Sequence, residues 1–238
     1  KNFQFRTRLG AFGLQSYQLT GSFKNNKTTA LIHANRLLTE GFRNNSGLEQ
    51  NLFNLKIKHK SNPSSKIQFQ MNFTNSPRAE DAGGITLEDS EEDRSQARQR
   101  NLDYDTYESV NHFKIGLNWD KNWTDKLILS TYGFYSFRDF YGKLPFENGG
   151  IIDLTRNYLG LGSRLNYKIG KNDLQVAAEL LNQSDQRDRY LNILGSQGSI
   201  SFSQNEKFQN LSFSILDELK LDKLFFRLSL RYDDMRLG

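Results

Sequence analysis

Cysteine is absent from the 238 residues, so disulfide scaffolding, thiol nucleophiles and cysteine-held metals are excluded. Proline is scarce: Pro63, Pro77 and Pro145 all fall in polar turns or insertions, where a missing ladder donor breaks no pairing. The three histidines, His33, His59 and His112, stand too far apart in sequence to form a metal-ligand pair at i+2 or i+4. His112 lies on a polar face, and His59 sits beside a turn and is expected to be exposed. No Gly-x-Ser-x-Gly elbow and no phosphate-binding glycine loop occurs. Long hydrophobic runs are missing too. No stretch approaches the roughly 18 apolar residues of a membrane-crossing helix, and mean hydropathy is -0.70. The charge balance of +5 is spread along the chain rather than gathered in a patch, and the densest run, Glu88–Asp93, is acidic. That distribution argues against a nucleic-acid surface. The same run lacks the spacing of a calcium loop and reads as a solvated segment.

What the chain does have is alternation. In Lys66–Asn75, Ile67, Phe69, Met71 and Phe73 share one face, and Lys66, Gln68, Gln70 and Asn72 share the other. Val110–Trp119 repeats this with Phe113, Ile115, Leu117 and Trp119 against His112, Lys114, Gly116 and Asn118. Leu127–Arg138 is less clean, with Ile128, Tyr132 and Phe134 on its otherwise polar face, and Thr28–Leu37 is nearly ambiguous. Leu174–Leu181 has a helix-like composition, but it follows a tight turn and is expected to be a strand. About eleven such segments can be counted.

The connections alternate as well. Tight polar turns lie at Lys24–Lys27, Asn62–Ser65, Asp120–Thr124, Gly170–Asp173 and Leu221–Lys223. Longer insertions lie at Leu38–Gly47, Ser76–Ser109, Asp139–Asn157 and Asp185–Asn205. A segment of about ten residues between a short turn and a long loop is the length of one tilted transmembrane β-strand. The expected fold is therefore all-β: an antiparallel up-and-down meander forming a partial transmembrane β-barrel, with outer-membrane lipid on its apolar side. Two aromatic girdles are expected, with Trp119, Trp123, Tyr167 and Phe225 at the short-turn side and Phe73, Phe137, Tyr158 and Tyr232 at the other. The insertion at 76–109 is expected to be an extracellular loop, poorly ordered at its acidic middle.

Three segments carry a family resemblance. Phe3–Gly13, FQFRTRLGAFG, resembles the first barrel hairpin of TonB-dependent outer-membrane receptors. Glu40–Ser46, EGFRNNS, is similar to the Gly-Phe/Tyr-Arg-x-Asn-Ser segment opening the next extracellular loop of that family. Asn75–Arg98 resembles the family's Pro-x-Ala-x-Asp-Pro-Gly-Gly-Leu-Thr loop and its Asp-Arg-x-Gln-Ala ending, here Asp93, Arg94, Ser95, Gln96 and Ala97, with Ala82 where the family has proline. The loop is closer to that of receptors for ferric citrate and other ferric siderophores than to that of cobalamin receptors. The resemblance covers the first half of the chain. It implies a bacterial outer-membrane barrel of about 22 strands closed by an N-terminal plug and energised through TonB.

The chain opens directly on a strand pattern at Lys1, shows no plug or TonB box, and ends at Gly238 without a terminal aromatic. The expectation is that it covers mature residues from roughly the first half of such a barrel, with a plug before Lys1 and further strands after Gly238. Odd strand number supports this, because the first and last of eleven antiparallel strands cannot close on each other without a parallel seam. Transport is the expected function, with a ferric siderophore or similarly bulky ligand and TonB as partners and no cofactor or catalysis. A bulky, oxygen-rich and often anionic ligand suits aromatic faces and guanidinium groups. The candidates are Arg138, Phe140 and Tyr141 at the top of the seventh strand, and Arg187, Arg189 and Tyr190 in a following loop. A passive porin or structural barrel, and a hydrolase with a rim Ser/His/Asp set, are the competing readings.

Overall fold

The computed structural model describes residues 1–238. Eleven strands form one antiparallel sheet in strict sequence order. They are β1 (Asn2–Leu9), β2 (Gln15–Lys24), β3 (Thr28–Thr39), β4 (Leu48–Asn62), β5 (Ser65–Glu80), β6 (Tyr107–Asn122), β7 (Leu127–Lys143), β8 (Ile151–Ile169), β9 (Asn172–Ile193), β10 (Ser196–Leu221) and β11 (Leu224–Leu237). The sheet is open: β1 and β11 each pair on one side only. No helix is long and apolar enough to cross a membrane. The meander and the strand count agree with the sequence pattern, and Leu174–Leu181 is strand, inside β9.

Register converts the period-two pattern into two continuous faces. On the apolar face Phe53, Phe73, Phe113 and Phe137 stand side by side across β4–β7. One pair further along, Asn51, Asn75, Asn111 and Asp139 form the next row. Asn51 Nδ2 donates to Asn75 Oδ1 at 3.1 Å, and Asn75 Nδ2 to Asn111 Oδ1 at 2.6 Å. An aromatic row followed at once by a hydrogen-bonded amide row marks where the apolar band ends. Two residues expected in the girdles lie elsewhere. Tyr158 is cross-strand from Ser136 on the polar face, where its ring meets Phe134 edge-on. Phe225 is also on that face, beside Arg227.

The two aromatics that interrupt the polar face of β7 have a steric reason. Phe134 lies opposite Gly160 and Tyr132 opposite Gly162. A Cβ at Gly160 would stand 2.2 Å from Phe134 Cε1, and one at Gly162 would stand 2.4 Å from Tyr132 Cε1. The rings fill space that only glycine leaves open. Tyr132 then hydrogen-bonds Glu179 across β8.

Beyond the apolar band the structure departs from expectation in two places. The segments 139–157 and 185–205 are not loops. β7, β8, β9 and β10 run on through them, leaving only residues 144–150 and the two-residue turn Leu194–Gly195. β9 is 22 residues long and β10 is 26. At about 3.3 Å per residue this exceeds a hydrocarbon core of about 30 Å by a wide margin. Pairing continues because the backbone groups of each strand still need partners. The alternation disappears from the sequence because neither face there is held to be apolar.

The second departure is the 76–109 insertion, expected to be poorly ordered at its acidic middle. β5 runs to Glu80 and β6 starts at Tyr107, and the stretch between them holds helices α1 (Leu87–Glu92) and α2 (Gln99–Asp103). Thr86 and Asp89 form a reciprocal capping box at the start of α1. His59 also differs: it is half-buried and contacts Thr28 Oγ1 at 2.9 Å.

Candidate functional site

Strand pairing places the six candidate residues on two faces, not one. All six sit on strands: Arg138, Phe140 and Tyr141 on β7, and Arg187, Arg189 and Tyr190 on β9 rather than in a loop. Residues two apart share a face, so Arg138 and Phe140 project to the polar side and Tyr141 to the other. Cross-strand pairs carry this to β9, where Arg187 lies opposite Leu154 and shares the face of Arg138, while Tyr190 shares the face of Tyr141.

On the polar side a single row crosses five strands: His112, Arg138, Arg156, Asp185 and Glu206, each opposite the next. Two cations therefore face each other at Arg138 and Arg156. Arg156 is neutralised: its Nε donates to both carboxylate oxygens of Asp185 at 2.9 and 3.0 Å, and its Nη2 to Oδ2 at 2.5 Å. Asp185 is fully buried. It also accepts from Gln183 Nε2 at 3.2 Å. Arg187 pairs with Glu206 at 3.2 Å. His112 turns away from the guanidinium groups to Ser136 Oγ at 2.9 Å.

Arg138 is left over. Its guanidinium rests over the Phe140 ring at 5.4 Å, and its buried Nε has no hydrogen-bond partner. With Asp185 and Glu206 engaged by other arginines, neither carboxylate of this row is left to pair with it. Phe140 supplies the aromatic face beneath it. An uncompensated cation stacked on a ring is an arrangement that accepts an anion. Asp185, Glu206 and Arg156 were not among the sequence candidates. Their alignment depends on a register across four strands that no local pattern reveals.

The opposite face is acidic and aromatic. Asp153 lies between Tyr141 and Asp188 in neighbouring strands. Burial, and then the charges of Asp139 and Asp188, push the Asp153 carboxyl above its ordinary range. Tyr141 touches Tyr107 with ring centroids 6.0 Å apart. Its phenol is pushed up to about 12 by burial and by the neighbouring Tyr107 and Asp153.

These features define a class: part of the wall of a transmembrane β-barrel, with one apolar face and one polar face whose far end carries paired and unpaired arginines. No protein-family model matches the sequence. Solved structures do match. The chain aligns over 97% of its length with 36% of the unliganded ferric citrate transporter FecA, at 17% identity and a TM-score of 0.72. It aligns over 96% of its length with 43% of the ferric-catecholate import receptor Fiu of E. coli K12 in its open form, at 10% identity and a TM-score of 0.68. A similar alignment covers 42% of the siderophore receptor PiuA from Acinetobacter baumannii, at 10% identity and a TM-score of 0.66. The chain thus spans well under half the length of these proteins and has the fold of part of their barrels.

Proposed function

We propose that this chain is part of the wall of a bacterial outer-membrane receptor that imports a ferric siderophore or a similarly bulky anionic iron chelate, with energy delivered through TonB. The polar face is then the lumen, and the row from His112 to Glu206 lies at its extracellular end. The observation that carries the reading is Arg138, a cation with no counter-charge, stacked on Phe140 at that end. Arg187 and Arg189 flank it on the same face. Arg187 is shared with Glu206, while the Arg189 side chain makes neither a hydrogen bond nor an ion pair and so adds a second free charge. Tyr141 and Tyr190 project to the other side and take no part. The barrel resemblance to ferric citrate and catecholate receptors supports the same class of cargo.

The test is binding of ferric citrate and of a ferric catecholate to the full-length protein carrying Arg138→Gln. Loss of one charge-assisted contact, worth about 1.5–3 kcal/mol, should weaken the bound chelate by roughly 10- to 100-fold. Tyr141→Phe should leave affinity unchanged. Equal affinity of Arg138→Gln and the unaltered protein for any chelate that binds would refute the assignment.

A further inference from the structure

Most of the fully buried side chains, Asn101, Thr106, Ile151 and Asn192, lie beyond the membrane band, in or near the insertion 81–106. Of the 17 buried residues of the whole chain, Ala82, Ala97, Asn101 and Thr106 belong to this segment, and Ile151 and Asn192 lie beyond the band on β8 and β9. Asn101 and Thr106, at 1% and 0% exposure, tie the segment to itself: Asn101 Nδ2 donates to Thr106 Oγ1 and to Asp81 Oδ2, both at 3.1 Å.

One end of the segment is held by the β3–β4 loop. Arg43 puts its guanidinium into a cage of backbone carbonyls. Its Nε donates to Gln96 O at 2.9 Å, Nη1 to Gly83 O at 2.6 Å and Nη2 to Ala82 O at 3.3 Å. Asn44 N donates to Ser95 O at 2.7 Å. Asn45 Nδ2 donates to Asp81 O at 2.9 Å and to Thr106 O at 3.0 Å. Glu40–Ser46 and Asn75–Arg98, two of the three segments that carry the family resemblance, are thus bonded to each other.

The other end is held by Asp105, which accepts from Arg78 at 2.6 Å and from Lys143 at 2.7 Å. Lys143 also donates to Gly195 O, at the tip of the β9–β10 hairpin, at 2.7 Å. Asn192 Nδ2 bridges Tyr104 O at 3.1 Å and Leu144 O at 3.0 Å. The Tyr107 ring lies between Arg78 at 4.3 Å and Lys143 at 5.2 Å. Gly195 has φ +87, and a Cβ there would stand 3.1 Å from that of Asp105, so the hairpin tip is seated directly on this joint.

We infer that residues 81–106 are a fixed brace, fastened by Arg43 at one end and Asp105 at the other, that locks the far ends of β3–β10 into one rigid unit and does not open as a gate. Arg43 acts as a positioning residue. A carbonyl cage needs several directed donors, which arginine supplies as a planar fork and lysine supplies only in part. The inference stands whether or not the import reading holds, because its test measures motion rather than transport.

The experiment is hydrogen exchange on the full-length protein in outer-membrane vesicles. The bonded amides that fasten the segment, those of Asp81, Arg98, Asn101 and Thr106, should be protected as strongly as those of β5 and β6. Arg43→Gln should speed exchange by at least about tenfold at the bonded amides around its cage, those of Asn44, Asp81 and Arg98, with partial rescue in Arg43→Lys. Asp105→Asn should loosen 99–106 and the hairpin tip at 190–196, and leave 40–47 protected. Arg36→Gln, at an exposed pair with Glu49, should change neither segment. Asn44 N and Ser95 O are 2.7 Å apart, so Asn44→Cys with Ser95→Cys, in a full-length background free of other cysteines, brings two thiols together at this joint. The pair should oxidise nearly to completion and leave exchange in β7–β10 unaltered. Exchange across 81–106 at the rate of an unstructured peptide would overturn the brace. So would an Arg43→Gln protein whose two segments stay fully protected, or a disulfide that changes exchange in β7–β10.

Discussion

Asp185 and Glu206 look alike in sequence and should respond differently to loss of charge. Asp185 is fully buried and its only counter-ion is Arg156. Asp185→Asn leaves an arginine with no ionic partner. Removing one member of a buried pair costs about 3–5 kcal/mol, and the one-third exposure of Arg156 places the effect at the lower end. Glu206 and Arg187 are each about one third exposed, so Glu206→Gln should cost about 1 kcal/mol or less. Denaturant unfolding in lipid vesicles would separate the two, and equal losses would contradict the buried row. Asp153 supplies a pH signature on the other face. Its folded-state pKa is raised, so between the ordinary carboxylate value and the raised one the folded form binds the extra proton. Stability therefore falls as pH rises through that acidic window and stays reduced at neutral pH. Asp153→Asn should flatten this dependence and slow hydrogen exchange in the upper parts of β7–β9 at neutral pH. A pH profile unchanged by the substitution would show that burial of this carboxylate carries no penalty.

At the scale of the strand, legibility follows from which face is constrained. Within the membrane band one side must be apolar, so Lys66–Asn75 and Val110–Trp119 could be read residue by residue. Above the band that constraint ends, and 139–157 and 185–205 read as loops although their backbone pairing continues. The same misreading hid the division of the site. Parity separates Arg138 and Phe140 from Tyr141, and Arg187 and Arg189 from Tyr190, but only once these residues are known to be on strands. The Thr86–Asp89 capping box was a local signal for α1 inside a run that otherwise looked merely acidic. Face assignment on β5 is directly testable. Phe69 belongs to the apolar row, and Gln70 lines a cavity of about 220 Å³ with Asn72, Lys114, Gly116 and Phe134. Phe69→Arg should lose about 2–4 kcal/mol of folding free energy in a bilayer, and Gln70→Arg close to none. Equal losses on refolding into vesicles would sink the assignment of lipid and lumen.

At the scale of the molecule the decisive property is the open sheet. Sequence order forces neighbours to pair, because the connections of two or three residues after β2, β4 and β10 leave no room for a crossover. The outcome is one continuous ladder with two free edges. β1 is exposed along its whole length, and β11 nearly so. Each edge carries a row of backbone donors and acceptors, and in hydrocarbon every unsatisfied group costs several kcal/mol. The apolar band runs out to both edges, through Phe3 and Phe5 on β1 and Leu228 and Leu230 on β11, so the free edges lie at membrane depth rather than in water. Residues 1–238 expressed as an isolated polypeptide should therefore fail to insert as a monomer. In vesicles they should stay protease-sensitive or associate edge to edge. Supplying strands that pair with β1 and β11, as a continuous chain or as a separate fragment, should restore a protease-resistant barrel. A protease-resistant monomer of the isolated polypeptide, crossing the bilayer with both edges unpaired, would contradict the open-sheet argument.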